Sequence, residues 1–223
     1  MNWKLPNILT LGRIVLALGF FVLLGLFDAA KASGPVLLNA ALVVYLAAGV
    51  SDVLDGYFAR KWNLVSAFGR MVDPLVDKVL VIGAFVMLLG RNFGRFAGDG
   101  AGAAHVAIPP WLTGGMLSAV QPWMVVAVLV RELVVSGVRG YSESRGRSFP
   151  ATWGGKCKMF LQSVAICAVL FQLANLRGAA WAAWGKVILV NLAVLVTVLT
   201  GLLYIGRARD LLRAEDSTDS APR

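Results

Sequence analysis

The chain has 223 residues, of which 58% are hydrophobic and only 15% charged, and its formal net charge is +9. Its mean hydropathy of +0.75 excludes an ordinary water-soluble domain and places it among proteins that cross a bilayer several times. In so apolar a chain the positive balance does not point to nucleic acid; topology and attraction to anionic lipid or phosphate account for it.

In chain order, Trp3 and Lys4 form an interfacial anchor ahead of Pro6. The first apolar run, 9–27, lacks a small-residue cleavage site and is expected to be retained rather than removed as a signal peptide. Gly34-Pro35 opens a second run at 36–58, and a polar turn over 61–70 closes with Gly69. The third run, 71–90, places Pro74 in a first helical turn, where its missing N–H is not needed. Residues 91–121 are rich in Gly and Pro and predict a loop with short helices. Runs at 122–140, 159–176 and 186–206 follow, separated by breaks at 150–155 and 178–183. Each run can supply the roughly 20 residues a bilayer needs. The expected fold is an all-α polytopic membrane protein with six transmembrane helices and an interfacial N-terminal segment. Residues 1–212 form one transmembrane domain, and 213–223 a disordered cytoplasmic tail.

With both termini on one side, five basic residues fall opposite: Lys31, Arg91, Arg95, Arg177 and Lys186. The other sixteen of the 21 lie on the terminal side. The positive-inside bias then puts the termini and the 141–158 loop in the cytoplasm. His105 is the single histidine, and Cys157 and Cys167 lie in one apolar run as small packing residues, so no zinc-type cluster exists.

The informative stretch reads Asp52-x2-Asp55-Gly56-x2-Ala59-Arg60-x8-Gly69-x3-Asp73-x3-Asp77. Asp52 and Asp55 share one helix face, as do Asp73 and Asp77. Ionisable groups at membrane depth are costly and functional by default. Four carboxylates directed at one another need positive charge between them, and a pair of divalent ions supplies it. The bland alternative is a set of ion pairs with Arg60, Lys61, Arg70 and Lys78, which requires neither this spacing nor the interleaved glycines. Gly56 and Gly69 remove side chains where a phosphorylated ligand could approach backbone, although close helix packing uses glycine in the same way.

This spacing resembles the signature of the CDP-alcohol phosphotransferase family, with all eight positions filled. The resemblance extends to Pro6-Asn7-Ile8-Leu9-Thr10-Leu11-x-Arg13, Val72-Asp73-Pro74-x2-Asp77-Lys78-Val79, Arg131-Glu132-Leu133-x2-Ser136-Gly137-x-Arg139 and Trp153-x-Gly155-Lys156-x-Lys158-x3-Gln162. These stretches are similar to the branch that joins CDP-diacylglycerol to glycerol 3-phosphate. The resemblance implies a homodimer of bacterial membrane type with two Mg2+ or Mn2+ ions, and the positive-inside bias puts the aspartates, and so the active site, on the cytoplasmic side of the inner (cytoplasmic) membrane. By resemblance, Asp52, Asp55 and Asp73 hold one ion and Asp52, Asp73 and Asp77 the other, with Asp77 as the base. Arg60, Gly56, Ala59, Gly69, Asn7 and Thr10 face the CDP-linked donor. Val76 departs from the family's usual small residue, and the 91–121 loop is long.

The acceptor carries a phosphate dianion, which needs fixed cations of its own. Arg131 and Arg139, two turns apart inside an apolar segment, are the first candidates, with Lys156, Lys158 and Arg207 beside them. Glu132 offers a partner for one of them. For Arg145, Arg147, Arg209 and Arg213, topology and snorkelling are explanation enough. The rival readings are a family member with a different acceptor (a cardiolipin, phosphatidylserine or phosphatidylinositol-phosphate synthase), a divalent-cation transporter, and a structural membrane protein. A transporter needs polar groups through both halves of the bilayer, whereas these acids cluster at one end.

Overall fold

In the computed structural model the described residues are 5–61, 67–94, 108–145 and 153–219, with side chains described over 11–54, 75–76, 78–94, 108–109, 111–145 and 153–206. Trp3, Lys4, His105 and Pro150 lie outside them. Seven α-helices are present among the described residues: α1 Leu5–Leu26, α2 Gly34–Lys61, α3 Ala67–Leu88, α4 Pro110–Thr113, α5 Pro122–Ser144, α6 Trp153–Asn175 and α7 Ala180–Asp219. No strand occurs among these residues, only an isolated bridge between Gly94 and Met116. The all-α class holds, and the six long helices match the six apolar runs.

Helix α1 packs on α2 and α3, α2 on α6, α6 on α7, α5 on α7, and α3 on both α5 and α6. Phe20, Leu24, Phe85, Ile166, Val169 and Leu170 are sealed in the centre. Ala41, Ala84, Ala165 and Ala193 are fully buried between helices, where a small side chain lets backbones approach closely. Polar ties cross the apolar interior. Tyr45 donates to Ser163 Oγ at 3.2 Å, and Gln162 to Thr197 Oγ1 at 2.9 Å. The amides of Asn39 and Asn175 bond reciprocally.

The outer surface is apolar: Leu18, Val22, Val43, Leu133, Phe160, Leu199 and Leu203 are all exposed. Three helical stretches are long and apolar enough to cross a bilayer: Gly34–Leu54, Trp153–Asn175 and Ala180–Gly206. Leu11–Leu26 and Lys78–Leu88 are shorter apolar helical runs. Helix α5 carries Arg131, Glu132 and Arg139 within its 23 residues.

Helix ends differ from expectation in α3 and α7. Helix α3 begins at Ala67, so Gly69 lies inside the helix rather than closing a turn. Pro74 is therefore interior to α3 rather than in its first turn, and the carbonyl of residue 70 loses its usual N–H partner. Helix α7 begins at Ala180, inside the expected break, and runs to Asp219, beyond the Arg213 where the tail was expected to start. Its last turns are rich in Arg, Leu, Ala and Glu, which are good helix formers. Cys157 is exposed rather than packed.

The end of the bundle away from the aspartates is tied by loop contacts. Ser118 Oγ donates to the Leu88 carbonyl at 2.8 Å, and Asn92 Nδ2 to the Gly25 carbonyl at 2.9 Å. Lys186, 7% exposed, donates to the Leu117 carbonyl at 2.5 Å and to Gln172 Oε1 at 2.9 Å. The α1–α3 contact depends on Gly83, where an added Cβ would lie 2.4 Å from Phe21 Cζ. Gly83→Leu should therefore cost about 1–3 kcal/mol, read as a lower unfolding temperature in detergent. Gly49→Leu, at a position open on all sides, should stay within about 0.5 kcal/mol of wild type.

Candidate active site

The C-terminal half of α2 carries Asp52, Asp55, Gly56, Ala59 and Arg60, and α3 carries Gly69, Asp73 and Asp77. Helix α1, bearing Asn7 and Thr10, packs on both. The side chains of Asn7, Thr10, Asp55, Ala59, Arg60, Asp73, Asp77 and Arg207 lie outside the described residues, and their helical register is what can be stated. Three residues along α2, and four along α3, return each aspartate pair to one side of its helix.

Asp52 is the signature aspartate whose carboxylate is described. Its side chain is 42% exposed, and its Oδ1 accepts from Arg13 Nη1 at 2.7 Å. Arg13 is buried at 1% exposure. Among the described residues no three metal-ligating groups converge. The donor chemistry nonetheless fits a hard divalent ion: all four signature acids offer oxygen ligands. A guanidinium already seated against Asp52 fits the same need for positive charge.

A second polar cluster is built from α3, α5, α6 and α7. Glu132, 8% exposed, accepts from Arg131 Nη1 at 2.9 Å and makes a short ion pair with Lys158 Nζ. Lys158 is itself 3% exposed. Ser136 Oγ donates to the Glu132 carbonyl at 2.6 Å and accepts from Lys78 Nζ at 2.5 Å. One turn on, Arg139 Nη2 donates to Tyr204 Oη at 3.0 Å. The guanidinium carbons of Arg131 and Arg139 lie 5.8 and 5.9 Å from the Tyr204 ring centre, within cation–π range. Two of these four cations, Arg131 and Lys158, pair with the Glu132 carboxylate; Lys78 and Arg139 are held by the Ser136 and Tyr204 hydroxyls. The Nε atoms of Arg131 and Arg139 are buried without a hydrogen-bond partner, so donors remain for an anion.

The structure brings Arg131, Arg139 and Lys158 together, as the sequence suggested. It does not bring Lys156 with them. Lys156 is exposed, because two residues along a helix turn a side chain roughly 200° away from Lys158. Lys78, Ser136, Tyr204 and Arg13 were not among the expected site residues. A polar residue inside an apolar run was the available signal for Ser136 and Tyr204. Gly201 is a further missed position: an added Cβ there would lie 2.9 Å from Arg131 Cγ, so α7 leaves room for that arginine.

A sequence model described as CDP-alcohol phosphatidyltransferase matches residues 3–199. The chain belongs to that family. It is similar to a CDP-diacylglycerol–glycerol-3-phosphate 3-phosphatidyltransferase of Bacillus subtilis, 29% identical over 96% of this chain and 100% of the relative. A protein of the same name from Escherichia coli K12 is 31% identical over 95% of this chain and 99% of its own length. A probable phosphatidylglycerophosphate synthase of Mycobacterium tuberculosis is 32% identical over 93% of this chain and 83% of the relative. Bacterial relatives and exposed apolar helices together mark a membrane protein. In this member of the CDP-alcohol phosphatidyltransferase family, the aspartate signature and the cation cluster share helix α3.

The Glu132 network generates a stability test. Removing one partner of a buried ion network strands the others, at about 3–5 kcal/mol. Glu132→Gln should lower the unfolding temperature in detergent, because Lys158 and Arg131 lose their carboxylate. Adding Lys158→Met should recover part of that loss, so the double variant is less destabilised than the sum of the two singles.

Proposed function

We propose that this chain transfers the phosphatidyl group of CDP-diacylglycerol to glycerol 3-phosphate, releasing CMP and forming phosphatidylglycerophosphate. The observation that carries the reading is the four-cation cluster beside the family's aspartate signature. A donor site alone does not select an acceptor that brings its own phosphate; Arg131, Lys158, Lys78 and Arg139, of which only the first two are paired with the Glu132 carboxylate, give that dianion a place. Lys156 and Arg207 are kept as outer contributors on sequence grounds.

In the reaction the acceptor hydroxyl oxygen attacks the phosphorus that bears diacylglycerol. The bond from that phosphorus to the CMP phosphate oxygen breaks, and CMP leaves with the electron pair. Asp77 takes the hydroxyl proton. Asp52, Asp55, Asp73 and Asp77 would hold two Mg2+ or Mn2+ ions, which supply positive charge where negative charge builds on the leaving phosphate. Arg60 binds the donor phosphates. Gly56, Ala59 and Gly69 leave space for the nucleotide, with Asn7 and Thr10 closing it from α1. Four carboxylates with fixed spacing at one membrane end support the two-ion reading over a cation path through the bilayer.

The six long helices are read as six membrane spans, with α5 tolerated because its charges are paired inside the bundle. The basic bias of the terminal side supports a cytoplasm-facing site in a bacterial cytoplasmic membrane. A homodimer follows from the family resemblance.

Purified protein given CDP-diacylglycerol, Mg2+ and labelled glycerol 3-phosphate should release CMP and label the lipid. Chelator should abolish this and Mg2+ or Mn2+ restore it, while Asp52→Asn and Asp73→Asn stay folded but inactive. Turnover that persists in chelator would refute the two-ion reading. For the acceptor, Arg139→Ala should raise the Michaelis constant for glycerol 3-phosphate about ten- to a hundredfold, the loss of a charge-assisted hydrogen bond of ~1.5–3 kcal/mol. The constant for CDP-diacylglycerol should move far less. An acceptor panel on wild type completes the measurement, with serine, inositol and free glycerol expected to be poor. Equal use of serine or phosphatidylglycerol would assign a different acceptor within the family.

A further inference from the structure

Arg13 sits on α1 at 1% exposure, and Asp52 is one of its partners, at 2.7 Å. The pair is lopsided. The cation is sealed by helix packing, while the Asp52 side chain is 42% exposed. A guanidinium cannot shed its charge in a protein, so the positive charge is permanent. Helix α1 packs on both α2 and α3, the two helices that carry the signature. Arg13 engages Asp52 at Oδ1.

We propose that Arg13 is a positioning residue and the resident counter-cation of the aspartate cluster. It clamps Asp52 through Oδ1 and makes firm binding of a divalent ion depend on the anionic donor. This rests on the two-ion reading given above.

Two opposing effects decide the sign. Releasing the clamp gives Asp52 back its rotamer freedom, which weakens ion binding by about fivefold at most. Removing a fixed positive charge beside a divalent ion strengthens binding by about tenfold or more, even with substantial solvent screening. The charge effect wins. The clamp therefore lowers the affinity of the donor-free site, and it orients the carboxylate for the moment the donor arrives. The diphosphate of a CDP-linked lipid brings the negative charge that offsets Arg13, so ion and donor bind cooperatively.

The test is Mn2+ binding to the full chain in detergent, followed by electron paramagnetic resonance with and without CDP-diacylglycerol. Wild type should bind Mn2+ weakly alone and about tenfold or more tightly with donor. Arg13→Met keeps side-chain bulk and removes the charge. It should bind Mn2+ about tenfold or more tightly without donor, lose most of the donor's enhancement, and turn over more slowly. Arg13→Lys keeps the charge and should stay within about threefold of the wild-type donor-free affinity. If Arg13→Met does not remain monodisperse, Arg13→Gln carries the same comparison. Donor-free affinity in the neutral variant that equals or falls below wild type overturns the proposal and leaves the two-ion reading intact. A wild type that binds no Mn2+ even with donor overturns the two-ion reading, and the role of Arg13 with it.

Discussion

Glu132 accepts from Arg131 on its own helix and from Lys158 on α6, in a place where each of the three is largely withdrawn from solvent. Any one of these charges alone would be costly in an apolar bundle. Together they fix the relative register of α5 and α6, because an ion pair at contact distance tolerates little sliding. Ser136 extends the same constraint to α3, since its hydroxyl bridges the Glu132 carbonyl and Lys78. Tyr204 extends it to α7 through Arg139. Four helices are thus tied into one polar network around Glu132.

The opposite end of the bundle is held by different means. There the ties are mostly neutral: side-chain amides, a hydroxyl and backbone carbonyls of the 88–121 segment. Lys186 is the buried charge at that end, and its described partners are a carbonyl and an amide oxygen. Arg177 similarly reaches the carbonyls of Leu173 and Ala29. Carbonyl oxygens can hold a cation in place without presenting a carboxylate to a ligand. An exposed Asp28–Lys31 ion pair also lies at that end, but among the described residues the buried carboxylate network belongs to the other, and this end serves as a frame.

The six long helices were legible because an apolar run of membrane length leaves few alternatives. Their ends were less so. Pro74 read as a start signal, since proline is common at a first helical turn, yet it lies inside α3. The aspartate signature was legible as spacing alone, because i+3 and i+4 repeats share a face whatever the tertiary arrangement. The cation cluster was only partly legible. Arg131 and Arg139 could be paired from their separation on one helix. Lys158 and Lys156 looked equivalent in sequence, but α6 turns one inward and the other out. Tyr204 and Arg13 stood out only as a polar residue in an apolar run and as a motif position: each gains its role from a partner on another helix, 65 and 39 residues away in sequence.

Helix α3 joins the two charge systems. Asp77, the proposed base, and Lys78, which reaches the Glu132 network through Ser136, are consecutive residues. Consecutive positions on a helix project about 100° apart, so the two residues occupy different faces of a single element. A shift of α3 along its axis would move both together. Arg13 provides the matching constraint from α1, which packs against α3 and clamps Asp52 of α2. Phosphoryl transfer of this type gains most from placing donor, acceptor and base in register. Here the Glu132 network and the Arg13–Asp52 pair tie those helices to one another, so loss of Glu132 or of Arg13 should disturb more than its local contact, whereas Arg139 is expected to act mainly on the acceptor.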